Sequence, residues 1–251
     1  MKVLGLETSG NLGGFAVVED GRLLAEITSD ITGRHVEQGA AMIERVLELS
    51  GTAVGDLAGV AVSLGPGSFT GLRVGLSLAK GLCFGRDLPL VGVPTLDCIA
   101  EGVAYFEGLV VPVKDARRGE IYFAFYEAGG GGATRVSAYE ALPPDRLAEV
   151  IERALLAHSG RGAARPDVPA LLVGDALAKY GEALRARLKV CMIPAPEIYW
   201  PARSAVVAAM GGRWLAEGRT ADLGALEPIY VRLSEAERAA ERKVGRKPAG
   251  A

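Results

Sequence analysis

Three groups of side chains in this 251-residue chain are of a type that does chemistry: a glycine-rich loop, a set of scattered carboxylates, and a few histidines and cysteines. The loop lies in residues 63–75, SLGPGSFTGLRVG, and runs into a helical pattern. Free amides at a helix start attract anions, so the first chemistry to ask of it is phosphate binding. A P-loop needs a lysine after its last glycine and then Ser or Thr, to meet the terminal phosphates and magnesium. Neither condition is met here. A dinucleotide fingerprint needs glycine three places after Gly67, where Thr70 stands and Gly71 comes one place late. Ser68 or Thr70 is instead placed to cap the helix with its side-chain oxygen.

Proton transfer would draw on Asp97, Asp115, Glu120 and Asp175, yet carboxylates at such loop positions ordinarily serve as caps or solvated charges. His35 and His158 are the only histidines, and neither has a second ligand at a fixed metal-binding spacing. Cys83, Cys98 and Cys191 are odd in number and far apart, which fits reduced thiols. Arg117 and Arg118, in KDARRGE, fit either a plain surface or a contact with a partner or RNA. Trp200 and Trp214 flank the last helix and read as core or lobe-contact residues.

The elements that position these groups follow from pattern. Residues 2–8, 14–18 and 22–29 read as strands, the last two joined by Asp20-Gly21, a strong hairpin signal. A 3.6-residue apolar stripe makes residues 35–50 a helix stopped by Gly51. The unbroken apolar run at 57–64 suits a strand buried on both faces. The glycine loop, a helix to about residue 84, a strand at 88–93 and a helix opened by Pro94 complete the first half. From Glu107 the pattern restarts, with strands at 109–114, 120–127 and 135–139, a helix at 144–158, a strand at 170–174 and a helix at 175–187. A last helix covers 202–217. Two strand clusters that each begin antiparallel and continue as strand–helix alternation predict two similar α/β lobes.

The chain is 49% hydrophobic and 23% charged, with mean hydropathy +0.23, net charge −2 and pI about 5.9. It has no apolar run long enough for a membrane span and no secretory signal, so a cytoplasmic location is expected. It lacks the basic excess of a nucleic-acid binder. The exception is local, six basic residues between Arg232 and Lys247, which read as a solvated, partly frayed helix.

Within the helix after Thr70, Gly71, Gly75 and Ala79 fall four apart on one face, with Leu72, Leu76 and Cys83 beside them. A helical glycine costs about 1 kcal/mol relative to alanine, so Gly75 and Gly81 call for contacts that a larger side chain would block. Another helix of the same chain, or a second subunit, would satisfy that requirement. Arg73 can serve either.

LGLETS at the start, RHVEQ, GPGSFTGLRVGLSLAKGL, VGVPTLDCIA, VKDARRGEIYFAFY and EPIYVR together span most of the chain, and in them it resembles the TsaB (YeaZ-like) family, relatives of the tRNA threonylcarbamoyladenosine synthesis protein TsaD. GPGSFTGLR and DARRGEIY are the specific stretches. Glu7 stands where relatives more often have aspartate, and Val36 where serine is commoner. The resemblance implies two actin-like (sugar-kinase/Hsp70/actin superfamily) lobes, residues 1–107 plus 201–231 and residues 108–200, with a basic tail at 232–251. It also implies a non-catalytic role, pairing with a TsaD-like subunit that transfers threonylcarbamoyl to the adenosine next to the anticodon. A TsaE-like ATPase joins, tRNA is met indirectly, and the lone chain is expected to form a homodimer. Partner contacts would fall on the first two helices, through His35, Leu72, Arg73, Gly75, Leu76, Ala79 and Cys83. Thr8, Ser9, Gly174 and Asp175 would line a degenerate nucleotide cleft, with no cofactor of its own and ATP or ADP only in the complex.

The catalytic relatives hold a metal with two histidines on adjacent helical turns, whereas Gly39 and Gly162 stand four residues after His35 and His158. Nothing supplies the serine–histidine or zinc–glutamate arrangement of a peptidase. Two rival readings remain: an actin-fold ATPase or kinase using Thr8 and Ser9 on phosphates, and a homodimer with an RNA-binding tail.

Overall fold

A computed structural model of the chain describes residues 1–30, 35–159, 170–188 and 192–231. Its first sheet contains β1 (Lys2–Glu7), β2 (Leu12–Glu19), β3 (Arg22–Asp30), β4 (Leu57–Ser63) and β5 (Leu90–Val93), in the order β3-β2-β1-β4-β5. β1 to β3 form an antiparallel meander, and β4 and β5 extend β1 in parallel. Asp20 and Gly21 both have positive φ, 49° and 82°, the backbone form of a two-residue hairpin turn. Parallel neighbours need crossovers, and α1 (His35–Leu49) and α2 (Phe69–Cys83) provide them.

The second sheet repeats the plan. β6 (Gly108–Asp115) is its central first strand; antiparallel β7 (Ile121–Phe123) and β8 (Tyr126–Gly129) lie on one side, and parallel β11 (Ala170–Val173) and β12 (Met192–Pro194) on the other. β10 (Glu140–Leu142) pairs with β7 and β9 (Gly132–Arg135) with β8. Helices α4 (Pro144–Ser159) and α5 (Ala176–Arg187) make the crossovers. A meander on one side of the first strand and parallel strands on the other, twice in one chain, is the two-lobed actin-like architecture.

The expected strand at 120–127 is broken into β7 and β8, and the one expected at 135–139 falls mostly in the gap between β9 and β10. At the break the Ser137 hydroxyl accepts from the Phe125 amide at 2.9 Å, so a side chain replaces a backbone partner and interrupts the ladder. The three-residue β12 has no signal of its own and exists through its pairing with β11.

α3 (Thr95–Glu101) begins one residue after Pro94 and is shared between the lobes. Leu96, Ile99 and Ala100 pack on the second sheet with Val110, Tyr126 and Leu171, whereas Cys98 packs with Val3, Ala61 and Val91 of the first. α6 (Ser204–Ala216) returns under the first sheet, where Val207, Ala208 and Met210 meet Val3, Val18 and Ala61. Its start is held by Glu26 of β3, which pairs with Arg203 and accepts from the Ser204 hydroxyl at 3.0 Å and the Ala205 amide at 3.1 Å. Beyond α6 the chain stays on this lobe, the Ala221 amide bonding to Leu90 O and the Ile229 amide to Leu64 O, each at 2.8 Å. Among the described residues no helix is long and apolar enough to cross a membrane. The basic tail expected at 232–251 lies outside the described residues.

Candidate functional site

The polar groups of the glycine loop are turned to internal use. The Ser68 amide donates to Ser9 O at 2.8 Å, and the Ser68 hydroxyl accepts from the Gly71 amide at 3.2 Å, capping α2. The Gly65 amide donates to Thr95 Oγ1 at 3.0 Å, while the Thr95 amide returns a bond to Gly65 O at 2.8 Å. Gly67 passes so near β1 that a Cβ there would lie 2.4 Å from Ser9 O.

The same strand end explains the glycine stripe. A Cβ on Gly71 would lie 2.1 Å from Thr8 O, and one on Gly75 would lie 2.1 Å from Thr8 Oγ1, whose hydroxyl donates to Gly71 O at 2.8 Å. The close neighbour is thus the end of β1, and neither another helix nor a second subunit is needed at this face. Leu72, Gly75, Leu76, Ala79 and Cys83 are all buried inside the chain, which corrects their expected place on a contact surface. Arg73 is exposed; its guanidinium carbon stands 3.9 Å above the Phe69 ring centroid and its Nε donates to Tyr230 Oη at 3.2 Å. The side chain of His35, the first residue of α1, lies outside the described residues. Gly81 differs from Gly75, since a Cβ there would meet nothing within 4 Å. It lies on the outer face of α2 with exposed Thr70, Arg73, Ser77 and Phe84, and α1 adds exposed Ala40, Ala41, Glu44 and Glu48.

Between the lobes lies a cleft of about 700 Å³. Lys114 of β6 is buried there, 6% exposed, with Nζ 3.3 Å from Asp175 Oδ2. Asp175 Oδ1 accepts from the Asp115 amide at 2.9 Å. Ser9 and Asp175 line the cleft, as the sequence leads one to expect, but Thr8 and Gly174 do not. Thr8 is spent on α2. Gly174, at φ 139°, passes β6 so closely that a Cβ would lie 2.0 Å from Val113 O, so the backbone contact alone accounts for the glycine. Glu7, noted in the sequence only as a departure from the family pattern, and Lys114, passed over there, also line the cleft. A lone lysine in the apolar run LVVPVKD is the signal for the second. Glu7 is 2% exposed, and burial raises its carboxyl above the ordinary 4.5 despite the nearby Lys114 charge and the Ser9 amide, which donates to Oε1 at 2.5 Å.

The other chemical candidates are engaged elsewhere. Asp97 Oδ1 accepts from the Tyr126 and Tyr139 hydroxyls at 2.6 and 2.7 Å, and burial together with that carboxylate raises both phenols. Asp115 accepts from the Arg117 amide at 2.8 Å and pairs with Lys179 at 3.8 Å. Arg117 and Arg118 sit exposed at positive φ, 62° and 55°, in the turn from β6 to β7. The Glu120 backbone oxygen closes that turn by accepting from the Ala116 amide at 3.0 Å. Burial pushes the Cys83 thiol up to about 11 and the Cys98 thiol well above its ordinary value, so neither is a ready nucleophile. Among the described residues no group of three metal-ligating side chains assembles. Trp200 lines the cleft with its indole N–H on Ala195 O at 2.8 Å, and Trp214 packs against the α6 side of the first sheet.

The family model described as TsaD, tRNA N6-adenosine threonylcarbamoyltransferase, matches residues 23–240. The chain is 30% identical over 246 residues to the tRNA threonylcarbamoyladenosine biosynthesis protein TsaB of Escherichia coli (strain K12), covering 92% of this chain and 95% of the relative. Identity to the protein of the same name from Bacillus subtilis (strain 168) is 28% over 237 residues, 94% of this chain and 96% of the relative. The fold matches YeaZ from Pseudomonas aeruginosa with a TM-score of 0.73 at 23% identity, covering 91% of this chain and 99% of that one. With a family model over most of its length and full-length relatives at this identity, the chain belongs to the TsaB (YeaZ-like) family, within the wider TsaD family.

Proposed function

We propose that this chain is a non-catalytic pairing subunit in tRNA threonylcarbamoyladenosine biosynthesis, docking a TsaD-like catalytic protein through the outer face of α1 and α2. The observation that carries the reading is Gly81. A glycine in a helix costs up to about 1 kcal/mol relative to alanine, and for Gly81, in the last turn of α2, nothing in the described residues requires its absent side chain. Exposed Ser77, Ala40 and Ala41 extend the low relief around it, and such relief lets the backbone of a second helix pair approach closely. A TsaE-like ATPase joins the assembled pair, and tRNA is met through the complex. The engagement of Asp97, Asp115 and Asp175 in internal bonds and the raised thiols support the non-catalytic part of the reading.

The test is native mass spectrometry of the chain with the TsaD-like protein of its own genome, alone and mixed, with and without ATP. A one-to-one heteromer forming at the expense of a homodimer is expected, and Gly81→Arg should abolish it while the variant stays folded. A heteromer of undiminished strength with Gly81→Arg would place the contact elsewhere. Magnesium-dependent ATP binding by the lone chain, with no heteromer, would favour a free-standing phosphotransfer enzyme.

A further inference from the structure

Two lobes joined by short passages of chain ordinarily move against each other unless a substantial apolar contact holds them. Closure around a ligand also needs a few residues free to absorb the change in φ and ψ. Here the chain passes between the lobes twice, from β5 through α3 to β6 and from β12 to α6. Neither passage is left free.

α3 changes its attachment from residue to residue. Thr95, buried, holds the first lobe: its Oγ1 accepts from the Gly65 amide at 3.0 Å and its own amide donates to Gly65 O at 2.8 Å. Asp97 holds the second lobe through the Tyr126 and Tyr139 hydroxyls, with Arg135 Nε 3.7 Å away. Cys98 turns back to the first sheet, and Ile99 and Ala100 to the second. Glu101, one turn after Asp97, takes both lobes at once. Its Oε2 accepts from the Ala133 amide of β9 at 3.1 Å, and its Oε1 pairs with Arg213 of α6 at 2.5 Å. Whichever lobe α3 were to follow in a rotation, its bonds to the other would break.

The second passage is bound in the same way. Ala202 packs against the apolar clusters of both lobes, and Arg203 pairs with Glu26 of β3. The Arg203 backbone oxygen also accepts from Cys98 Sγ at 3.5 Å, which ties this passage to α3.

We propose that α3 clamps the two lobes at one fixed angle, so that the inter-lobe cleft is a rigid groove and not a jaw that closes on an occupant. The clamp uses no residue of the outer face of α1 and α2, so it stands or falls independently of the pairing role.

The experiment is double electron–electron resonance on the full chain, with spin labels at Arg22→Cys in the first lobe and Arg146→Cys in the second, both exposed positions. Cys83 and Cys98 are buried, and Cys191→Ser removes the third thiol. Dilution with unlabelled chain suppresses distances between copies. The inter-lobe pair is expected to give a single distance distribution as narrow as that of Arg22→Cys with Glu48→Cys, both within the first lobe. Thr95→Val with Glu101→Gln removes the hydroxyl and the charge that hold the first lobe while keeping side-chain shape, and should broaden the inter-lobe distribution but not the one within the lobe. Arg213→Ala, on the exposed side of α6, should broaden it less and gives a second reading should the double variant fail to fold, as checked by circular dichroism. A broad or two-peaked inter-lobe distribution in the parent, a shift on adding magnesium ATP, or widths unchanged in the folded variants would each overturn the proposal.

Discussion

Gly75 and Gly81 stand on one helix six residues apart, and the structure assigns them opposite responses to the same substitution. Gly75→Ala places a methyl 2.1 Å from Thr8 Oγ1, more than 1 Å inside ordinary contact. Either α2 lifts from the end of β1, or Thr8 rotates and gives up its 2.8 Å bond to Gly71 O. Overpacking of a well-filled site costs about 1–3 kcal/mol, and a buried hydrogen bond left half-made adds about 1–3 kcal/mol. The helix preference for alanine returns about 1 kcal/mol, for a net loss of about 1–5 kcal/mol. Gly81→Ala meets nothing within 4 Å, so the helix preference acts alone and the lone chain gains up to about 1 kcal/mol. Urea unfolding of the two variants beside the parent, followed by circular dichroism, reads both values. A Gly75→Ala variant within 0.5 kcal/mol of the parent, a threshold on the order of an ordinary surface change, would refute the packing argument. Loss of stability in Gly81→Ala would refute the claim that this glycine has no role inside the chain.

Two buried carboxylates give pH dependences of opposite sign. Burial works against the Glu26 charge, but Arg203, the Ala205 amide and the Ser204 hydroxyl outweigh it and hold the carboxyl below its ordinary 4.5. Its stabilisation is therefore present above that value and lost as pH falls through the lowered folded one. Glu26→Gln should be less stable than the parent at pH 7, with the gap closing in acid, as thermal melts across pH would show. For Glu7 the folded carboxyl is raised, so the parent loses stability as pH rises from 4.5 through the raised value. Glu7→Gln should match or exceed the parent at pH 7, and the difference should shrink toward pH 4. Ser68→Ala removes the cap on the Gly71 amide and should cost about 1 kcal/mol in the same urea assay. A neutral result there would mean that the Ser68 amide on Ser9 and the Gly65–Thr95 pair hold the loop without the cap.

Local signals carried much of the fold. Asp20-Gly21 announces its hairpin because few other residue pairs tolerate positive φ twice in succession. The apolar run at 57–64 becomes β4, buried along nearly its whole length. Ser68 caps α2 where a hydroxyl precedes the helical stripe. What stayed hidden depends on partners distant in sequence. Composition shows that the glycines of α2 need a close neighbour but not which one, and Thr8 lies 63 residues before Gly71. Helical geometry already separates the two cases, since six residues turn a helix by about 240° and put Gly81 well away from Gly75. Asking close contacts of both glycines on helix preference alone passes over this difference. The cleft was half legible: Ser9 and Asp175 line it, but Lys114 comes to it from the other lobe's central strand, which no local pattern reveals. β12 was invisible because three residues carry too little periodicity to register.

The return of α6 and residues 221–229 to the first lobe bears on the order in which the molecule is made. The sheet that begins at residue 2 is finished by side chains that leave the ribosome some 200 residues later, when Val207 and Ala208 cover Val3 and Ala61 and Ile229 bonds to Leu64. The second lobe draws its strands from one continuous stretch, residues 108–194. During synthesis the first sheet therefore has all its strands by residue 93, yet one of its faces stays open until residues 207–229 have emerged, after the strands of the second lobe are already made.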